Sequence, residues 1–178
     1  MNTWKVSDTL KEILEKGLAF LAYGMPLMEA LYFFGPRVFL YSGDVNLKNF
    51  FFTYLRGPIM IYQDYIGLSF FFTVAIFGIC SRNTLPMSKT KLGLTDFLRI
   101  NVMQGALVQV MFTCGGQIFQ LSPLWFKYGI LGSFISHGCI FGIFGLVLYS
   151  AFLIFALKRF PLIPIVTASA RIQMWIYD

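Results

Sequence analysis

Charge is what this chain has least of. Asp, Glu, Lys and Arg supply 12% of its 178 residues, about half of the quarter that keeps the exterior of a soluble domain wet. A soluble globular protein is excluded, and most of the exterior must meet lipid. Histidine is rarer still: His137 is the only one, and one imidazole cannot build a bis-His haem site. Cys80, Cys114 and Cys139 each stand alone in apolar sequence, with no C-x-x-C. That removes metal knuckles and leaves small thiols suited to packing between helices. The 14 basic residues exceed the 8 acidic ones but are scattered between apolar runs and form no continuous face, so nucleic acid is not an expected partner. No Ser, Cys or Thr has a candidate base nearby, no glycine-rich phosphate loop occurs, and no acid pair resembles a protease or metal site. The chain is therefore not expected to be an enzyme or to carry a cofactor or metal.

What is present is apolar length. Hydrophobic residues make up 57% of the chain and the mean hydropathy is +0.70, the composition of a membrane protein. A bilayer crossing needs about 20 mostly apolar residues, and four stretches qualify, at about 14–35, 59–80, 97–121 and 129–157. The expected fold is all-α, a single polytopic membrane domain with four transmembrane helices. Pro36 disfavours helical geometry at Gly35 and so marks the end of the first span, and Pro58 suits the first turn of the second. "NLKNFFFTYLRGP" brackets its aromatics with Lys48 and Arg56, which fits either a short interfacial helix or an aromatic loop. A cleaved signal peptide is not expected before the first span, because "KEILEK" carries mixed charge and no small-residue cleavage pattern follows.

Lys and Arg set the orientation. Ten of them, including Lys16, Arg82, Lys89, Lys91, Arg99, Lys158 and Arg159, fall on the side of the two termini. The opposite side has four, namely Arg37, Lys48, Arg56 and Lys127. Both termini are thus expected in the cytoplasm or a compartment derived from it, which in a plastid is the stroma.

Polar groups inside a bilayer are costly unless partnered, so each is a functional candidate. At about 100° per residue, Gly105, Gln109, Thr113, Gly116 and Gln120 share an arc of about 80° on the third helix, with Asn101 and Gln104 beside it and Gln117 further round. The stripe is either a wall facing a hydrated path or a partner polypeptide, or interhelical glue. Glu29 lies about 9 Å inside the end of the first span at 1.5 Å per residue. Asp64 has a comparable depth in the second, so the two acids either line one mouth or are separate interfacial residues. Around His137, Gly132 with Ser136 and Gly138 with Gly142 stand four apart, a spacing that lets helix backbones approach closely; the fourth helix is expected to be a packing hub. His137 itself suits a hydrogen-bonding role on such a face.

One long pattern ties these pieces together. "FFFTVAIFGICSRN", a thirteen-residue connector and "FLRINVMQGALVQVM" resemble the twenty-kilodalton Tic family, membrane subunits of the translocon at the inner chloroplast envelope. The family closes its second span with an Arg-Asn pair and opens its third with Phe, Arg, Asn and Met-Gln at set spacing, here Arg82, Asn83, Phe97, Arg99, Asn101, Met103 and Gln104. "YGMPLMEALYFFG" is similar to its first span, and "YSAFLIFALKRFPLIPIVTASARIQ" to its ending, with Tyr149, Ser150, Pro161, Ile163, Pro164, Ala168, Ala170 and Gln173 in register. Two features depart from the family. Thr167, Ala168 and Ser169 stand where relatives commonly carry an acid, and the connector with Lys89 and Lys91 is longer than usual.

The resemblance implies a subunit that helps preproteins cross the plastid inner envelope membrane, forming or scaffolding the conducting path beside other translocon subunits and an unfolded preprotein in transit. Arg82, Asn83 and Arg99 would mark the stromal mouth, with Asn101 and Gln104 serving polar groups just inside. A four-helix bundle fills its own centre with side chains, so a peptide-wide path implies self-association or walls shared with partners. A cyanobacterial plasma or thylakoid membrane is the other location that the family allows. Two other classes remain open from the residues alone. One is a small-solute or ion transporter built on Glu29, Asp64 and the amides; the other is a structural or pigment-binding subunit of a photosynthetic complex built on His137 and the 21 Phe, 9 Tyr and 3 Trp.

Overall fold

The computed structural model describes residues 3–41, 43–82 and 94–174, without the side chains of 3–9 and of Arg82. Asn83, Lys89 and Lys91 and most of the connector therefore lie outside the described residues, as does the side chain of Arg82. The architecture is all-α. In chain order the helices are α1 (Thr3–Leu21), α2 (Gly24–Leu40), α3 (Val45–Phe50), α4 (Arg56–Asp64), α5 (Ile66–Arg82), α6 (Asp96–Leu121), α7 (Leu124–Tyr128), α8 (Ile130–Phe152) and α9 (Val166–Gln173). Single π turns, Phe51–Leu55 and Leu153–Leu157, join α3 to α4 and extend α8.

Among the described residues, three stretches are each long and apolar enough to cross a membrane: Leu10–Leu40, Asp96–Leu121 and Ile130–Leu157. The fourth is a pair, Val45–Asp64 and Ile66–Ser81, bent by 74° at Tyr65. The expected second span at 59–80 is thus not one rod. Its first turns, with Pro58, belong to a helix that begins at Val45, and only α5 continues in the new direction. Tyr62 of α4 is bonded to Glu29 of α2 and lies 3.2 Å from Ser69 of α5 across the bend, while Ser69 and Thr73 are bonded to Gln109 of α6, so these side chains hold the bent pair against α2 and α6. The stretch between the first two spans is helical, with Asp44 capping α3 by accepting from the Asn46 amide at 2.8 Å.

The first span also departs from its expected limits. The chain breaks at Ala22 and Tyr23, and α2 then runs through Pro36 to Leu40. A proline inside a helix removes one hydrogen bond, but α2 lies at the centre of the molecule. It buries Ala30, Leu31, Phe33, Phe34, Val38 and Phe39 against α6 and α8, and that packing holds the helix beyond Pro36. Proline acts earlier instead: Pro26 has no N–H to offer the Ala22 carbonyl one turn back, and the break falls there.

The other two long apolar stretches run Asp96–Leu121 and Ile130–Leu157. Thr95 caps α6 by accepting from the Leu98 amide at 3.3 Å, and Asp96 sits in its first turn, where a negative charge complements the helix dipole. Beyond α8, Lys158 takes left-handed geometry with φ 49° and Arg159 donates back to the Leu153 carbonyl at 3.0 Å, closing the helix. Ile165, with φ 67° and ψ −53°, is the centre of a γ-turn in which Val166 donates to the Pro164 carbonyl at 2.7 Å. That turn folds α9 back beside α6.

Candidate functional site

The polar stripe of α6 is a seam that closes on the chain's own helices, at two levels. The first level centres on Gln104 and Asn101, both fully buried. The Tyr23 hydroxyl, at the α1–α2 break, lies 2.8 Å from Gln104 Oε1 and 3.3 Å from Asn101 Oδ1. Asn101 Nδ2 donates to the Phe97 carbonyl one turn back at 2.8 Å. Gln104 Nε2 donates to the Thr167 hydroxyl at 2.8 Å and to the Pro161 carbonyl at 3.1 Å, and the Ile163 amide donates to the same hydroxyl at 2.8 Å. Gln104 thus joins three separate parts of the chain: the break in the first span, α6, and the strained return into α9. Thr167 acts here as an acceptor for Gln104.

The second level centres on Gln109 and Glu29, which are 3% and 1% exposed. Glu29 Oε1 accepts from the Thr113 hydroxyl at 2.6 Å, and Oε2 accepts from the Tyr62 hydroxyl. Gln109 Oε1 accepts from the Thr73 hydroxyl at 2.6 Å, and its Nε2 donates to Ser69 Oγ at 3.1 Å. Tyr62 and Ser69 hydroxyls are 3.2 Å apart. Six side chains from α2, α4, α5 and α6 therefore spend their hydrogen bonds on one another, as polar groups in hydrocarbon must. Two glycines set the separation of α6 from the first span. A Cβ at Gly105 would collide with the Ala22 carbonyl oxygen, and one at Gly116 with the Phe33 ring, so both positions require a residue without a side chain.

Arg99 caps a neighbouring helix. It is 8% exposed; its Nε donates to the Cys80 carbonyl at 2.9 Å and Nη2 to the Ser81 carbonyl at 3.2 Å, while Nη1 pairs with Asp96 at 2.8 Å. The last carbonyls of α5 have no intrahelical donors, and a cation there also complements the helix dipole.

The remaining candidates separate from these clusters. Gln117 and Gln120 are exposed on the outer face of α6. Asp64 is exposed at the bend while Glu29 is enclosed, so the two acids do not share a mouth. Gly132 and Ser136 are buried, Ser136 bonding back to the Gly132 carbonyl at 2.8 Å. Gly138 and Gly142, in contrast, are exposed, and an added Cβ at either would meet nothing within 4 Å among the described residues. His137 Nδ1 is 2.8 Å from the Ser133 carbonyl and its ring lies beside Phe141. The residues that sequence reasoning passed over are Tyr62, Ser69 and Thr73. The last two stand four apart on α5, a spacing that places both on one helix face.

Between α1–α2 on one side and α5 on the other, α6 forms the floor of a lateral apolar groove of about 320 Å³ lined by Leu18, Met25, Phe72, Ile76, Leu98 and Ala106. Thr73 and Gln109 reach its floor, already committed to each other.

Comparison with known proteins gives two relatives of similar extent. The chain is 26% identical over 164 residues to the Tic20 family protein Ycf60 of Porphyra purpurea, covering 90% of this chain and 76% of that one. It is 23% identical over 155 residues to the Tic20 family protein Ycf60 of Gracilaria tenuistipitata var. liui, covering 86% and 72%. No family model matches the chain, and no solved structure matches it.

Proposed function

Because the chain belongs to the Tic20 family, we propose that it is a non-enzymatic membrane subunit of the preprotein translocon of the plastid inner envelope, and that it scaffolds the conducting path without enclosing it. The observation that carries the scaffold reading is the saturation of the α6 seam. Asn101, Gln104, Gln109 and Thr113, the groups best suited to greet a passing backbone, are occupied by Tyr23, Thr167, Thr73 and Glu29. A polypeptide then meets the outside of this chain, and the other walls of its path come from partner subunits or further copies.

The exposed amide Gln117 is the natural probe of that outer face, and Gln109 of the seam. A photocrosslinking residue at Gln117 is expected to reach partner subunits or an arrested preprotein in isolated plastids, whereas one at Gln109 is expected to reach only the chain itself. Crosslinks from Gln109 to the preprotein would mean that the seam opens and that this chain lines the conduit.

A further inference from the structure

On the side of the membrane opposite the termini, α2 ends at Leu40, α6 at Leu121 and α8 begins at Ile130. Arg37 sits where these ends meet. Its guanidinium carbon is 5.3 Å from the centre of the Tyr41 ring and 5.3 Å from that of Tyr128, and Nη2 donates to the Tyr128 carbonyl at 2.9 Å. A guanidinium carries five N–H donors, and here Nε is buried without a partner. Ion pairs among the described residues join Lys16 and Lys158 to Glu12 and Arg99 to Asp96; none compensates Arg37. An uncompensated, partly unsatisfied cation held rigidly between two rings requires an account.

We propose that Arg37, Tyr41 and Tyr128 form a binding site for the anionic headgroup of a membrane lipid. Charge decides the class of ligand, since no ion pair among the described residues compensates the cation, and the rings set two hydroxyls beside it, that of Tyr41 bonded to that of Tyr128. The two rings are close-packed, 5.6 Å between centres, and both tyrosines are more than half exposed, so both hydroxyl-bearing side chains are open to the surroundings. Position decides the source. The next residues along the chain, Leu121, Leu124, Trp125 and Ile130, are exposed apolar side chains at the ends of two spans, so the cation stands at the edge of hydrocarbon, where headgroups lie and where Tyr and Trp gather. Guanidinium suits a phosphate because its fork matches two oxygens at once.

The test is native mass spectrometry of the full chain released from nanodiscs containing equal phosphatidylcholine and phosphatidylglycerol. The wild-type chain is expected to retain phosphatidylglycerol selectively, and Arg37→Gln to lower that selectivity about ten-fold, the loss of one charge-assisted contact. Arg37→Lys keeps the charge but not the fork and is expected to fall between them, while Lys48→Gln, a basic residue elsewhere on the same side, leaves retention unchanged. If Arg37→Gln does not fold, the paired Tyr41→Phe and Tyr128→Phe variant decides, because it keeps both rings and removes both hydroxyls; about five-fold lower retention is expected. Retention unchanged in the folded variants, equal loss in Lys48→Gln, or displacement of the lipid by inorganic phosphate would each overturn the proposal.

Discussion

The Tyr23 hydroxyl stands 2.8 Å from the Gln104 carboxamide oxygen although 81 residues separate them in the chain. Tyr23 is wholly buried, so Tyr23→Phe leaves the oxygens of both Gln104 and Asn101 without that donor inside the bundle. Interhelical hydrogen bonds in membranes average about 0.6 kcal/mol, and an acceptor left unsatisfied in the interior raises the loss to about 1–3 kcal/mol. A fall in thermal stability of that size in detergent is expected for Tyr23→Phe, measured by circular dichroism. Stability equal to wild type would mean that the Gln104 network contributes nothing to holding α9 and the first span to α6.

Glycine offers a sharper contrast, because chemically identical substitutions should diverge by position. Gly105→Ala drives a methyl into the Ala22 carbonyl oxygen, and Gly116→Ala drives one into Phe33. A side-chain ring can move further than a backbone carbonyl, so Gly105→Ala is expected to be the more damaging, by about 1–3 kcal/mol. Gly138→Ala and Gly142→Ala meet nothing and are expected to be neutral or to gain up to about 1 kcal/mol each from helix propensity. Parallel melting curves of the four variants in detergent would check this ordering. In native membranes a loss of assembly in Gly138→Ala, with the isolated chain unharmed, would assign that face to a partner.

Much of this was legible in the residues. Long apolar runs and their flanking cations give an all-α membrane chain, and the caps at Thr95 and Lys158 bound the last two spans close to where hydropathy does. The first two helical stretches depart from the expected limits because a local rule meets tertiary packing. Pro36 should stop a helix, but α2 is packed by α6 and α8 and continues; Tyr65 carries no breaker signal, yet the chain bends there, with the hydroxyls of Tyr62 and Ser69 meeting across the bend. At the seam, periodicity aligns Gln109 and Thr113 on one arc of α6 and sets Asn101 and Gln104 beside it. It could not say what faced them, since a partner such as Tyr62 or Thr167 is chosen by the fold and not by spacing along the chain.

Arg99 gives a local prediction. Its guanidinium is what the carbonyls of Cys80 and Ser81 bond to at the end of α5. Arg99→Met keeps the apolar stem and removes the donors, so the last turn of α5 should fray. Faster amide hydrogen exchange at the end of α5 is expected, with α8 unchanged, and a stability loss of about 1.5–3 kcal/mol, the range for hydrogen bonds made by a charged group. Exchange that rises uniformly across all helices would instead identify Arg99 as a general support of the bundle.

The γ-turn at Ile165 stores strain that glycine would not. A β-branched residue at φ 67° is held there against its preference, at a cost of about 1–3 kcal/mol, and its side chain is 81% exposed, so little packing is lost on truncation. Ile165→Gly is expected to raise the melting temperature of the isolated chain. A lower one would mean that the exposed isoleucine stabilises the detergent-solubilised fold through contacts absent from the chain alone.

Glu29 is the group whose retention stability explains least. Both of its donors have a second acceptor already in place: the Thr113 hydroxyl is 3.0 Å from the Gln109 carbonyl, and the Tyr62 hydroxyl is 3.2 Å from Ser69 Oγ. Replacing the carboxyl with an apolar group of similar size therefore strands neither hydroxyl, and it removes an acid from the interior, where such exchanges are often neutral or stabilising. Glu29→Leu is expected to change stability by less than about 1 kcal/mol, whereas Glu29→Ala, which leaves a cavity, should cost about 2 kcal/mol or more. If Glu29→Leu folds with wild-type stability but plastids carrying it import preproteins poorly, the acid is kept for transport; if it unfolds the chain, the carboxyl is a structural tie and the fallback acceptors do not suffice.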